Sequence, residues 1–224
     1  MAILPILITL DGNIGAGKST LLEAIRTHMH NVSVIQEPVG DWLTMKNADG
    51  ESLLSLFYKD TARWSYTFQN VALLTRLMHT NELLSSWTPD KPSVIITERS
   101  VLTDRYVFAE MLHRQGKIDE LEWTIYNKWF DYYAKNIPVK GIIHLATSAS
   151  TSKERIGIRG RTGEEGIPLS YLADLDDQHN TWIADSHLPT LQISTEPGIP
   201  VKDTLDKIHQ WLATNYPEHY VTVP

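Results

Sequence analysis

The chain has 224 residues, 42% of them hydrophobic and 21% charged, with a formal net charge of −7 and no cysteine. That is enough chain for one well-cored domain and short for two. Disulfides and thiolate metal sites are excluded, and the acidic balance argues against a protein that tracks nucleic acid polymers, which needs a basic footprint.

The first element is the apolar run Ile3–Ile8, followed by Gly12–Ser19, written GNIGAGKS. This is G-x-x-x-x-G-K-[ST] between a strand and a helical pattern, the phosphate-binding loop in its proper context. Gly12, Gly15 and Gly17 let the backbone, with Asn13 and Ala16, turn tightly and aim N–H groups at one point. A helix N-terminus adds positive potential there. Lys18 is expected on the β- and γ-phosphates of a triphosphate and the Ser19 hydroxyl on Mg²⁺, with Thr20 in the nucleotide site beside them. Leu21, Leu22, Ile25 and Met29 recur at helical spacing, predicting a helix over Lys18–His30.

Val32–Gln36 predicts a short strand, and Pro38 keeps Glu37 extended at its carboxyl end, the ligand-binding edge of open α/β sheets. Position alone leaves Glu37 between a solvated loop acid and an acid facing the ligand. A polar loop, Asn47–Glu51, carries the turn signal Asp49-Gly50. Helix is expected from Leu53 to about Trp87, broken near Lys59–Ala62. Within it Gln69, Ala72 and Arg76 share one face beside Phe68. On spacing alone a solvated face is the expectation.

Ser93–Thr97 is a compact apolar strand ending at Glu98-Arg99-Ser100, where a phosphate-loop protein places an acid near Mg²⁺. Asp104 and Phe108 follow at i, i+4 on the next helix. Asp119–Asn136 carries Trp123, Tyr126, Trp129, Tyr132 and Tyr133, read as core or subunit interface. Gly141–Ala146 is another buried-type strand, its His144 expected to be a satisfied core histidine. Thr151-x-x-Glu154 reads as a capping box. Beyond it Arg155 and Arg159 share a helix face and Arg161 follows across Gly160; like charges so placed repel unless an anion sits between them. Gly163 and Gly166 bracket Glu164-Glu165, the signature of a segment that closes and reopens, a lid over about 155–167. Pro168 starts a helix to about Ala184 with Leu169, Leu172, Leu175 and Trp182 inward; Leu188–Ile193 is the last strand and Val201–Tyr216 the last helix. Strands alternating with helices imply an α/β fold, a parallel five-stranded sheet covered on both faces.

A phosphate loop, a strand-end acid and an arginine-bearing lid are the parts of a phosphoryl transferase, which works by positioning and by neutralising charge on the transferred group. In order along the chain, GNIGAGKST, EPV with Trp42, ARWSYTFQ, ERSVLTDRYVFA, EWTIY and RGRTGEEGIPLSYL resemble the deoxyribonucleoside kinases, in the deoxycytidine and deoxyguanosine kinase branch. The resemblance spans roughly Ile8 to Ile183. It implies Glu37 as the base for the 5′-hydroxyl proton and Arg99 on that hydroxyl and the incoming phosphate, with Glu98 and Ser19 serving Mg²⁺. It further implies Gln69 on the nucleobase, Phe108 stacking, and Trp42 and Phe68 lining the pocket. Tyr58 and Glu164 would hold the 3′-hydroxyl; Arg155, Arg159 and Arg161 would meet the ATP phosphates.

Ala72, Arg76 and Asp104 stand where branches of that family differ. The arginine–aspartate pair resembles enzymes acting on deoxyadenosine, deoxyguanosine and deoxycytidine, implying a purine-leaning kinase, and the family resemblance implies a homodimer. The apolar run at Ile3–Ile8 is too short to span a bilayer and carries no basic or transit-type flank, so a cytoplasmic protein is expected, and the acidic balance leaves neither membrane nor nucleic acid polymer as partner. Gly163 departs from the acid usual in relatives, an expected loosening of the lid. Ser194–Pro200 (STEPGIP) departs from the usual acidic donor-base segment, which leaves ATP against other triphosphates open. Two further readings compete. A thymidylate-type monophosphate kinase needs an extra acceptor-site cation, and Glu37 speaks against it. A nucleotide switch lacks an N-K-x-D motif, Asn127-Lys128 continuing Trp-Phe.

Overall fold

In the computed structural model, residues 4–134 and 136–220 are described; Ile3 of the predicted first strand and Lys135 within the predicted aromatic helix lie outside them. The elements run β1 (Ile6–Gly12), α1 (Lys18–His28), β2 (Val32–Ile35), α2 (Val39–Thr44), α3 (Leu53–Lys59), α4 (Thr61–Ser85) and β3 (Val94–Glu98). They continue as α5 (Val101–Thr103), a π-helical stretch Asp104–Ala109, α6 (Glu110–Arg114), α7 (Glu120–Trp129) and a second π-helical stretch Phe130–Ala134. The chain closes through β4 (Val139–Ala146), α8 (Ala149–Arg159), α9 (Leu169–Asp185), β5 (Thr190–Ser194) and α10 (Val201–Asn215).

The five strands pair in the order β2-β3-β1-β4-β5, all parallel. This is the predicted α/β sheet. β1 is buried along its whole length, which is why its sequence reads as an apolar run rather than an alternation. One face of the sheet packs α1 and α10 through Leu21, Leu22, Ile25, Ile208 and Leu212. The other packs the larger set from α2 to α9, around Phe57, Leu73, Val107, Leu112, Tyr126 and Leu172. The chain leaves β1 for β2 on one side and later crosses from β3 to β4 on the other. The loop after β1 therefore lies at the switch point, where open α/β sheets bind ligands.

Local chemistry explains most boundaries. The predicted break before α4 falls at Asp60, whose carboxylate accepts from the Arg63 N–H and caps the helix. The predicted capping box at Thr151 is not formed. Ser148, at the end of the β4 turn, caps α8 by accepting from the Thr151 N–H. Pro168 stands at the N-cap of α9 rather than inside its first turn, so Leu169 is exposed while Leu172, Leu175 and Trp182 are buried. The aromatic stretch divides: Tyr126 and Phe130 are core, whereas Trp129, Tyr132 and Tyr133 are exposed.

Candidate active site

The phosphate loop follows directly from β1. Gly12, Gly15 and Gly17 have φ of 142°, 82° and 92°, conformations an L side chain resists. Space is also closed to them: a Cβ on Gly12 would meet the Leu145 carbonyl oxygen at 2.7 Å, and one on Gly15 would run into the Ser152 carbonyl oxygen. Asn13 ties the loop to α9 by donating to the Leu172 carbonyl at 2.7 Å. Gly17 caps α1 without a side chain, so the first-turn N–H groups face the loop's hollow unclaimed by any capping group. Lys18 is buried, its ammonium donating to the Gly12 and Asn13 carbonyls at 3.0 and 2.7 Å. Burial, then the neighbouring Arg99, lowers its pKa to about 7.

At the end of β3, Glu98 accepts from the Ser19 hydroxyl at 2.9 Å. Arg99 follows with φ 58°, the one non-glycine left-handed residue among the described residues. Such strain costs about 1–2 kcal/mol and collects at functional sites. It turns the guanidinium onto Glu37, donating to its two oxygens at 2.8 and 2.7 Å, and over the Phe108 ring at 4.8 Å.

Glu37 is held from the other side by Arg76, which donates to it at 2.6 Å and to Asp104 with its second terminal nitrogen. Burial alone would raise the pKa of Glu37, but Arg99 and Arg76 outweigh it and hold the carboxyl at about 2. Asp104, buried behind Arg76, goes the other way. Burial lifts it to about 6 against the pull of Arg76 and of Tyr126. The π turn is the one feature here without a local sequence signal. It brings Asp104 and Phe108 to the same cavity wall, and such turns recur at functional sites.

The expected solvated face of α4 is instead buried: Gln69, Ala72 and Arg76 are all below a tenth exposed. Neither Gln69 Oε1 nor its Nε2 has a partner, though both are buried. Gln69 shares a cavity of about 40 Å³ with Trp42, Phe68, Phe108, Arg76 and Asp104. Trp42 is fixed by its indole N–H on Thr75 at 3.0 Å and packs edge-on against Phe68. Ala72 is core beneath this wall and does not line the cavity. Ile14, Val39, Leu54 and Phe57 do line it and were not foreseen; they are apolar residues whose spacing speaks only of core.

The predicted lid segment lines the cavity through Arg159, Arg161 and Glu164. Glu164, 2% exposed, receives Arg159 and, at 3.0 Å, Arg161, so those two cations meet an anion supplied by the chain itself. Arg155 turns away to the Thr195 carbonyl at 2.6 Å. Gly163, expected to loosen this segment, packs against α3: a Cβ there would stand 2.6 Å from Ser55 Oγ and 2.9 Å from its Cα. Tyr58 lines the same cavity, and burial keeps its phenol neutral. His144, expected to be satisfied, has Nδ1 unpartnered beneath the sheet edge, stacked against His179 at 5.7 Å.

A second cavity, about 530 Å³, lies on the other side of the phosphate loop, lined by Thr20, Arg155, Ile158 and the segment Ser194–Ile199. Gly15, Lys18, Ser19, Glu98 and Arg159 line both cavities. Two pockets joined at a phosphate loop, one apolar-walled with an unpaired amide and one open, define a phosphotransferase that passes a phosphoryl group between two ligands. Residues 8–210 match the deoxynucleoside kinase family, and the chain belongs to it. It is similar to human deoxycytidine kinase, 37% identical over 201 residues (82% of this chain, 77% of the relative). It is also similar to chicken deoxycytidine kinase 2, 37% over 193 residues (79% and 73%). The mitochondrial deoxyguanosine kinase of Xenopus laevis is 32% identical over 211 residues (87% and 78%). Among the described residues no helix is long and apolar enough to cross a membrane.

Proposed function

We propose that the protein transfers the γ-phosphoryl group of a nucleoside triphosphate, ATP in the first instance, to the 5′-hydroxyl of a deoxyribonucleoside. Deoxyadenosine and deoxyguanosine are its leading acceptors, with deoxycytidine beside them. One observation carries the acceptor site. A buried amide with neither atom paired costs about 1–3 kcal/mol per unmet group, so Gln69 is built for a ligand edge with a donor beside an acceptor. Such an edge is offered by a nucleobase, and the aromatic walls of the cavity suit its faces.

In this reading Glu37 accepts the 5′-hydroxyl proton. A carboxyl held at about 2 is a weak base, which suits a transfer whose transition state asks little of it; orienting the hydroxyl is its larger share. Arg99 stands on the same carboxylate and lines the acceptor cavity next to Glu98, placed to neutralise the phosphoryl group in flight. The cavity is narrow with the lid down, so a nucleoside enters as the lid lifts and is held as it returns. A carboxylate accepts up to four hydrogen bonds; Glu164 can therefore keep its arginines and still take the sugar 3′-hydroxyl beside Tyr58. Arg155, Arg159 and Arg161 serve the donor phosphates.

Ser19 Oγ and Glu98 Oε1 fit Mg²⁺, which takes few protein oxygens and completes its shell with phosphates and water. When bound it would neutralise β- and γ-phosphate charge. The chain acts as one kinase domain, residues 1–224, lid included, with the cytoplasm as its compartment on the sequence reading. Leu121, Trp129, Tyr132 and Tyr133 stand exposed on α7 and the π stretch after it, the proposed face of a homodimer; a monomer in analytical ultracentrifugation would remove that reading. The decisive experiment mixes protein, ATP and Mg²⁺ with each deoxynucleoside or monophosphate and follows ADP. ADP formed with nucleosides alone is expected. ADP formed only with monophosphates, or without any acceptor, would overturn the proposal.

A further inference from the structure

Behind the acceptor wall lies a side chain that touches no ligand cavity yet ends a chain of buried charges. Tyr126 on α7 is fully buried, and its hydroxyl donates to Asp104 Oδ2 at 2.6 Å. The other oxygen of Asp104 takes Arg76, Arg76 continues to Glu37 at 2.6 Å, and Glu37 ends on Arg99. Asp104, Arg76, Glu37 and Arg99 line the acceptor cavity; Tyr126 does not. We propose that Tyr126 is a positioning residue for acceptor selection: its hydroxyl fixes the Asp104 carboxylate, and through it Arg76, against the base end of the cavity.

The phenol is itself held from behind. Its ring lies parallel to Trp123 at 5.9 Å, and Trp123 in turn packs against the His113 ring at 4.5 Å and the Arg105 guanidinium at 4.1 Å. Arg105 is pinned to Asn127 at 2.6 Å. The hydroxyl therefore has one address. Asp104 has two hydrogen-bond partners: Arg76, which is shared with Glu37 and lines the cavity, and the phenol, which does neither. The phenol can therefore set which way the carboxylate plane faces, and hence where Arg76 presents its edge, without itself meeting a ligand. The groups facing Asp104 are Arg76 from α4, Glu37 from the segment after β2 and Tyr126 from α7. Of these, Arg76 and Tyr126 favour its ionised form and Glu37 opposes it.

This inference rests on the deoxynucleoside kinase reading, and its test separates the two. Wild type, Tyr126→Phe, Asp104→Ala and the double variant are assayed for kcat and KM with deoxyadenosine, deoxycytidine and thymidine from pH 5 to 8.5. A hydrogen bond to a buried charge corresponds to roughly a ten-fold or larger effect. Tyr126→Phe is therefore expected to lose about ten-fold in preference for deoxyadenosine over thymidine, mostly through KM. The pH at which that preference is half lost should rise by about one unit, because Asp104 then takes a proton more readily. In the Asp104→Ala background, which leaves no side-chain polar atom between the phenol and Arg76, the same change should add nothing to selectivity; a merely structural role would add its full cost in both backgrounds. If wild type phosphorylates no deoxynucleoside, the kinase reading falls. If it does, and Tyr126→Phe keeps its preference and pH midpoint, or acts equally with and without Asp104, the positioning role falls.

Discussion

Replacing Arg76 with Met and Asp104 with Ala, singly and together, probes both the stability and the selectivity of the acceptor wall. Removing one partner of a buried ion pair generally costs about 3–5 kcal/mol. For Arg76→Met the lower end is expected, because both orphaned acids have relief. Burial already raises Asp104 to about 6 against the pull of Arg76, so without that cation it takes a proton near neutral pH instead of staying charged and unpaired. Glu37 keeps Arg99 on both of its oxygens. A loss of about 3 kcal/mol in a chain this size lowers the Tm by roughly 6–12 °C. Removing Asp104 as well takes away the acid that needed the cation, so the double variant should melt above Arg76→Met. It should also gain at least ten-fold in thymidine kcat/KM relative to deoxyadenosine, the scale on which a pocket reads one methyl group. Calorimetry and a coupled ADP assay on the four proteins give both numbers. A double variant that melts within a few degrees of wild type yet gains no thymidine activity refutes this account of selectivity.

Three further outcomes are expected. Gly163→Ala forces a Cβ against the Ser55 backbone at a φ of 93°, so the lid cannot seat; nucleoside KM should rise about ten-fold without rescue by Ser55→Gly, and an unchanged KM would count against the docked lid. Glu37→Gln should lower kcat by roughly 10²–10⁴; since Glu37 is ionised down to about 2, its removal should not abolish any wild-type pH limb between 5 and 9, and loss of such a limb would show that its pKa is not depressed. His144, lowered by burial and then by Lys18 to about 4, is neutral when folded, so the unfolded chain binds its proton first as pH falls below its ordinary value. Stability from this residue is full above about pH 6.5 and is lost toward pH 4, amounting to about 2 kcal/mol at pH 5. Urea unfolding of His144→Gln should show that much less change between pH 8 and 5; an identical slope would mean the imidazole is not held neutral.

What could be read from the chain alone follows the range of the interactions concerned. The phosphate loop, the Glu98-Arg99-Ser100 turn and the five strands are written in short windows, by fixed spacing and apolar runs, and the structure places them accordingly. The face shared by Gln69, Ala72 and Arg76 was visible as a face. Its burial was not, because the covering residues Trp42 and Phe108 come from elsewhere in the chain. Ser148, Ser150 and Thr151 are equally able to cap α8 by type, and only the end of β4 selects Ser148. Gly163 looks like slack in the sequence because its obstacle, Ser55, lies more than a hundred positions away.

The lid arginines show the same limit more sharply. Their spacing demands an anion, and the demand is real, but it is met within the chain by Glu164 and concerns Arg159 and Arg161 rather than Arg155. The same holds across the acceptor cavity, where five cations, Lys18, Arg76, Arg99, Arg159 and Arg161, face four carboxylates, Glu37, Glu98, Asp104 and Glu164. On the proposed roles, internal anions would hold the arginines in place before any phosphate arrives, so little rearrangement would accompany transfer. They also make donor affinity a difference, since each guanidinium trades part of a carboxylate for part of a phosphate. On those roles a triphosphate should bind less tightly than the count of arginines suggests, and the surplus attraction would be kept for the one moment when the phosphoryl group lies between Lys18, Arg99 and the lid.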